Sequence, residues 1–305
     1  MTPAQRNVLL SMWIKPSSDH EKDRQERARH MVAEAIAGWK KFDDTDYDIY
    51  TKGSYRNRTN VKLDSDVDIA IDLKECVYYD FISGVNESEV VRPASYSGSW
   101  TPESWRSEVV KALESYFGKE SINTAGRLAI NIPEVKGSRP SIDIVPSFEY
   151  IRYDDAAQSA SNTNYGSCVF PKDGGRKTVN WPQQQYDNGV KKNDITGKRY
   201  KFFVRALKNA ENALVDSGDL KKALPSYFME CLVYNAADHL FNSANDDLET
   251  SFGKVLNNIA VKLDSDNDFP MVEPNELKYL FRGDKKWTIA EGKELIARTQ
   301  TMMGY

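Results

Sequence analysis

Lys52-Gly53-Ser54-Tyr55-Arg56-Asn57-Arg58-Thr59-Asn60-Val61-Lys62-Leu63-Asp64-Ser65-Asp66-Val67-Asp68-Ile69-Ala70-Ile71-Asp72-Leu73 decides how the rest of the chain is read. It opens on a small-residue turn, Gly53-Ser54, inside a polar, basic run. It closes on an apolar strand, Val67, Ile69, Ile71 and Leu73, interrupted by carboxylates. Side chains alternate along a strand, so Asp66 and Asp68 share a face. Two like charges held side by side repel, and a divalent cation relieves the repulsion. Mg²⁺ takes one or two protein carboxylates together with substrate phosphates and water. The turn upstream supplies backbone N–H groups and the Ser54 hydroxyl to such phosphates.

Downstream, Arg127–Ile132 alternates as a strand, and Ser141–Val145 reads as another, closed by Pro146. Asp143 is a lone acid among Ile142, Ile144 and Val145, where a charge costs energy unless paired or metal-bound. An adjacent antiparallel strand would set it against Asp66 and Asp68 as a third carboxylate. Upstream, Tyr47–Tyr50 predicts a first core strand. A short helix is expected over 2–14. A long one runs from the caps Ser17-Ser18-Asp19 to about Lys41. Its charged first half, with Lys22, Arg24, Arg27 and Arg29, reads as a solvated face or as a surface for an activating ligand or nucleic acid.

Residues 76–100 read as a polar loop, and Thr101-Pro102 starts a helix that Gly118 ends. Residues 151–197, rich in Ser, Asn, Gly and Gln, predict little regular structure. From Lys198 the pattern is helical, with further helices at 225–234, 247–262, 274–282 and 288–302. Val261-Lys262-Leu263-Asp264-Ser265-Asp266-Asn267-Asp268 nearly repeats the motif strand. It lacks the Gly-Ser turn, and it lacks the Gly and Glu of a calcium loop. It reads as an acidic loop that ends a helix.

A chain of 305 residues buries a core easily, and its formal charge of −4 argues mildly against constitutive nucleic-acid binding. No apolar run approaches a membrane span, and the first residues lack a signal-peptide layout. Cys76, Cys168 and Cys231 are too scattered for a disulfide framework or a zinc knuckle. These features predict a cytoplasmic protein with no membrane association and no structural zinc.

Gly53-Ser54, a spacer, and Asp66-Val67-Asp68-Ile69 together resemble the signature of nucleotidyltransferases with a polymerase-β-type core. Lys208 and Ser226-Tyr227 narrow the resemblance to the cGAS/DncV-like nucleotidyltransferases. Gly53-Ser54-Tyr55-Arg56-Asn57, Asp64-Ser65-Asp66-Val67-Asp68, Val179-Asn180, Tyr186-Asp187-Asn188-Gly189, Leu207-Lys208-Asn209-Ala210 and Pro225–Leu232 resemble the bacterial clade E enzymes. The resemblance implies an α+β fold: a mixed twisted sheet with flanking helices over 1–195, a C-terminal helical lobe over 196–305, and a cleft between them.

It also implies synthesis of a cyclic dinucleotide containing uridine, adenosine or both, from nucleoside triphosphates, as an antiphage second messenger. Asp66, Asp68 and Asp143 would be the catalytic residues and the ligands of two Mg²⁺ or Mn²⁺ ions. Gly53, Ser54, Lys208 and Ser226 would hold the triphosphate, and Tyr227 would stack on a base. A monomer is implied, with a downstream effector for the product and phage RNA or a protein as candidate activator. The base-selecting residues are expected within 151–182. The alternatives are an antibiotic or terminal RNA nucleotidyltransferase, and a non-catalytic nucleotide sensor or toxin-neutralising partner.

Overall fold

A computed structural model describes residues 1–16, 18–61, 66–82, 84–91, 93, 96–154, 163–242, 247–283 and 285–305. Asp64 and Ser65 of the motif lie outside the described residues, as does 155–162 of the segment expected to select bases. In chain order the elements are α1 (Pro3–Trp13), α2 (Asp19–Ala37), β1 (Tyr47–Thr51), α3 (Gly53–Asn57), β2 (Val67–Phe81) and α4 (Pro102–Phe117). Then follow β3 (Ile130–Ile132), β4 (Ile142–Tyr153), β5 (Thr163–Val169), β6 (Thr178–Asn180), α5 (Pro182–Ile195) and α6 (Arg199–Asp216). The chain ends with α7 (Ser226–Tyr234), α8 (Leu248–Asp264) and α9 (Ile289–Met303). Two compact units form: Ser18–Tyr55 with Leu63–Gln183, and Met1–Ser17 with Arg56–Lys62 and Gln184–Tyr305.

The first unit is built on a six-stranded sheet ordered β1-β2-β4-β5-β6, with β3 also paired to β4. Val67, Ile69, Ile71 and Leu73 are all fully buried on one face of β2, and Asp68, Ala70 and Asp72 take the other. The apolar face lies against α4, whose Trp105, Val109, Ala112 and Leu113 are buried and whose Trp105 Nε1 donates to the Ile71 carbonyl at 3.4 Å. Both α2 and α4 start on capping boxes, Ser18 with Glu21 and Thr101 with Ser104.

Three expectations for this unit are corrected. The β2 strand continues to Phe81 instead of giving way to a loop at 76, because Val77, Tyr79 and Phe81 pack on Val90, Ile151 and Tyr153. The β4 strand runs through Pro146 to Tyr153. Pro146 falls between the span that β3 pairs and the span that β5 pairs, so its missing N–H interrupts neither ladder. The 151–197 segment holds β5 and β6 of this unit, and then α5, most of which belongs to the other. Gly166 permits this: a Cβ there would stand 2.5 Å from the Asn180 carbonyl and 2.9 Å from Trp181.

The second unit is helical. Phe203, Leu207, Phe228, Leu232, Phe252, Leu256, Ile259 and Leu295 form its buried centre. Leu10 of α1 joins that core, and Arg6 of α1 pairs with Glu249 of α8 at 2.6 Å. The expected helix over 274–282 does not form. The Asn275 side chain accepts from Leu277 N at 2.9 Å and Lys278 N at 3.1 Å, a turn that competes with helix. Glu276 is left-handed at φ 59°, and Val272 bridges Tyr279. The repeated acidic stretch ends α8, as expected, and turns over Ser265–Asp268.

Candidate active site

The β1–β2–β4–β3 order fixes the site by register. On the parallel pair, Asp68 of β2 stands opposite Asp143 of β4. On the next ladder, Asp143 stands opposite Asn131 of β3. Residues directly opposite one another project from the same face, about 4.8 Å apart in the pairing direction. The parallel pairing corrects the expected antiparallel arrangement of these two strands. It still brings the acids together, because in-register partners share a face in either sense. Asp66 lies one residue before β2 and is exposed. Its charge and that of Asp143 both raise the Asp68 carboxyl.

Burial is the larger cause at Asp68 and pushes its carboxyl up to about 6, while the Lys52 ammonium opposes the shift. Asn131 Nδ2 donates to Asp143 Oδ1 at 2.8 Å and to Ser141 Oγ at 3.1 Å. One carboxylate oxygen of Asp143 is therefore held by an amide. Gly53 begins α3 at φ 70°, a backbone region that favours glycine. A Cβ at Gly53 would stand 2.6 Å from Asp68 Oδ2. The Gly-Ser turn thus folds as the first turn of a short helix set against the Asp68 carboxylate. Ser54 follows, half-buried.

Further along the same face, Asp72 is 5% exposed. It accepts from Tyr50 Oη at 2.7 Å and from Ser147 Oγ. Burial pushes it up to about 6 as well, against the effect of those two hydrogen bonds. Sequence reading missed two members of this face. In the sequence Lys52 is one member of a basic run, yet its backbone N–H donates to the Asp68 carbonyl at 2.9 Å. Asn131 lies on a strand whose alternation, Ile130-Asn131-Ile132, sets it on the polar face, a signal that marks it for the site.

The donor set on β2 and β4 is of hard carboxylate oxygens, the type that Mg²⁺ and Mn²⁺ take. An acid raised by burial and by two neighbouring acids fits a cation. Among the described residues, no three His, Cys, Asp or Glu side chains are grouped closely enough to hold a metal ion by themselves. The fit is therefore to an ion that also draws ligands from substrate phosphates and water.

The residues expected at the nucleotide from the helical unit are placed differently from one another. Ser226 is the exposed first residue of α7. Tyr227 is half-buried, its hydroxyl donates to Glu273 Oε2 at 3.3 Å, and its ring meets Trp287 edge-on at 6.2 Å. Lys208 is 1% exposed. Its Nζ donates to the Thr59 carbonyl at 2.9 Å and to Thr59 Oγ1 at 3.4 Å. Burial lowers its pKa to about 8, against the charge of Glu230. Glu230, also buried, accepts from Asn57 Nδ2 at 2.8 Å and from Thr59 Oγ1 at 2.9 Å. Lys208 and Glu230 thus clasp the 56–61 segment, and the structure does not present Lys208 to solvent.

Of the arginines considered for nucleic acid, Arg24 pairs with Glu134 at 2.8 Å and Arg29 with Glu26 at 2.5 Å, while Arg27 donates to the Ser138 carbonyl at 3.2 Å. Among the described residues, no helix is long and apolar enough to cross a membrane, and the three cysteines are free and buried.

The sequence and the fold both have known relatives. Residues 187–304 match the family model of the cGAS/DncV-like nucleotidyltransferase C-terminal helical domain. The chain is 36% identical over 288 residues to the cyclic dipyrimidine nucleotide synthase CdnE of Legionella pneumophila, covering 93% of each. It is 30% identical over 210 residues to the cyclic UMP-AMP synthase of Rhodothermus marinus, covering 69% of each. A solved structure of the Rhodothermus marinus CdnE c-UMP-AMP synthase, with Apcpp and Upnpp, shares the fold. Its TM-score is 0.83 at 24% identity, covering 98% of this chain and 97% of that one. The mixed sheet that pairs Asp68 with Asp143, the C-terminal helical domain and the full-length relatedness agree: this chain belongs to the CdnE-like cGAS/DncV-like nucleotidyltransferases.

Proposed function

We propose that the protein joins nucleoside triphosphates into a cyclic dinucleotide containing uridine, adenosine or both. The observation that carries this reading is the Asp68–Asp143 register on adjacent strands, beside the Gly53-Ser54 turn. The names of the relatives support the product class, and the dipyrimidine synthase points to uridine. In each of two steps a ribose hydroxyl oxygen bonds to an α-phosphorus, and the bond from that phosphorus to the pyrophosphate oxygen breaks. The first step gives a linear dinucleotide and the second closes the ring.

The residues divide the work as follows. Asp66, Asp68 and Asp143 would hold two Mg²⁺ or Mn²⁺ ions together with substrate phosphates, and such ions would supply a lowered pKa for the attacking hydroxyl and positive charge for the leaving pyrophosphate. Asp143 takes the hydroxyl proton, and the Asn131 amide on Oδ1 leaves Oδ2 to receive it. Gly53 and Ser54 present a backbone N–H and a hydroxyl to the triphosphate, and Ser226 does so from the first turn of α7. Tyr227 offers a ring face to a base, held in place by Glu273 and Trp287. Lys208 supports the triphosphate through the 56–61 segment that it clasps. The product serves as a second messenger for an effector in antiphage defence.

Incubation with the four labelled nucleoside triphosphates and Mg²⁺ or Mn²⁺, with no other acceptor, tests the reading. A phosphatase-resistant product with the mass of a cyclic dinucleotide is expected. Nucleotide joined covalently to added RNA or an antibiotic, with no cyclic dinucleotide formed, would assign the chain to another transferase of the same core.

A further inference from the structure

The row of residues across the sheet does not stop at the two acids. The β1–β2 ladder runs antiparallel, with Thr51 opposite Ile69. One step beyond it, Lys52 N donates to the Asp68 carbonyl at 2.9 Å. Lys52 is therefore the residue across from Asp68, and opposite residues of a ladder share a face. The row reads Lys52, Asp68, Asp143, Asn131 across β1, β2, β4 and β3. A cation flanks the acids on one side and an amide donor on the other.

Lys52 differs from the other lysine of this face. Lys74 is committed to Glu149 at 2.8 Å. Lys52 is half-buried and, among the described residues, forms no ion pair within 4.0 Å. Burial lowers its pKa, and the neighbouring charges of Asp68, Asp72 and Asp143 work against that shift. A charged ammonium on a flexible stem, beside acids but bonded to none, can change partners without breaking a fixed contact.

We propose that Lys52 is the resident counter-cation of the carboxylate pair: it competes with a divalent ion while nucleotide is absent, and it turns to the phosphate oxygens of a nucleoside triphosphate when both are present. This rests on the metal-dependent reading of the site. With no phosphate present, an ammonium and a divalent ion at one carboxylate pair repel each other, so metal entry drives the ammonium away. The incoming phosphates supply the anionic partner it then needs.

Mn²⁺ binding to the nucleotide-free protein, followed by electron paramagnetic resonance, separates this role from a structural one. Lys52→Met keeps the length of the stem and removes the charge. It should bind Mn²⁺ about five-fold more tightly than the unaltered protein, because one unit charge near the ion is gone. Lys52→Arg, which keeps the charge, should bind Mn²⁺ as the unaltered protein does. In steady-state turnover, Lys52→Met should raise the KM for nucleoside triphosphate about ten-fold. Lys52→Gln provides the same two readings should Lys52→Met fail to fold by circular dichroism. Unchanged or weaker Mn²⁺ binding in the neutral variants would overturn the competition, and an unchanged KM would overturn the phosphate contact. If the unaltered protein neither bound Mn²⁺ nor turned over nucleotide, the metal-dependent reading itself would fall, and the proposal with it.

Discussion

Asp68 on β2 and Asp143 on β4 are direct partners across a parallel ladder, and the Asp68 carboxylate also lies against Gly53. Three segments distant in sequence therefore meet at one end of the sheet: the turn after β1, the start of β2 and the start of β4. Parallel strands carry in-register side chains on one face, so the pair is fixed by backbone pairing before any side chain chooses a rotamer. The repulsion built into this pair is the cost of a cation site when no cation is there.

Burial of the acids on this face sets the pH dependence of the metal-free protein. Burial raises the Asp68 carboxyl from its ordinary 3.8 to about 6, and Asp72 is raised likewise. A folded state with raised acids holds its protons longer than the unfolded chain. Their contribution to stability is intact below about pH 4 and lost as pH rises through about 6. Asp68→Asn should flatten this fall. In the absence of metal it should be the more stable protein at pH 7 by on the order of 2 kcal/mol. Urea unfolding of both proteins at pH 4.5 and pH 7 with a chelator present checks this; equal differences at the two pH values would contradict it.

Gly53→Ala addresses the turn. The left-handed backbone at φ 70° resists an L side chain, and the added methyl would collide with Asp68 Oδ2. Stability should fall by about 1–2 kcal/mol, and product formation should fall more than ten-fold because the carboxylate is displaced. Chemical denaturation and a product assay together separate the two effects. Ser54→Ala, which leaves the backbone alone, should lower activity without the loss of stability.

Glu230 offers a purely structural counterpart. Removing its carboxylate leaves Asn57 and Thr59 without their acceptor and Lys208 without the charge that offsets its burial. Glu230→Ala should destabilise the helical unit by about 3 kcal/mol, and Glu230→Gln by less. Thermal unfolding of the two variants beside the unaltered protein checks the order.

Much of this was legible in the sequence, for identifiable reasons. The alternation Val67, Ile69, Ile71, Leu73 against Asp66, Asp68 and Asp72 admits only a strand with one polar face. The lone acid Asp143 among branched apolar residues pointed to the same site. Strand direction was not legible. The sign of the β2–β4 pairing depends on the long connection through α4 and β3, and no local pattern in either strand records it. The continuation of β2 past Cys76 was obscured by the polar residues that follow Phe81. The 274–282 segment has helical composition, but the Asn275 side chain takes the N–H groups of Leu277 and Lys278. Lys208 shows how far a motif reaches: its position on α6 was foreseen, while its burial against Thr59 depends on a partner about half the chain away.

Tyr227 distinguishes stacking from hydrogen bonding. Tyr227→Phe keeps the ring and loses the hydroxyl's bonds to Glu273 and Cys231, so nucleotide affinity should change less than three-fold. Tyr227→Ala should cost about 1–3 kcal/mol of nucleotide binding. Quenching of Trp287, whose indole lies beside the Tyr227 ring, reports binding directly. Equal losses in the two variants would show that the hydroxyl matters and the ring face does not.

Pyrophosphate release from nucleoside triphosphates, measured for the unaltered protein and for Asp68→Asn and Asp143→Asn, each confirmed folded by circular dichroism, bears most directly on the paired acids. The unaltered protein should release pyrophosphate as cyclic product accumulates, and each variant should do so at least about a thousand-fold more slowly. Undiminished release by either folded variant would contradict the assignment of Asp68 and Asp143 as the centre of the chemistry.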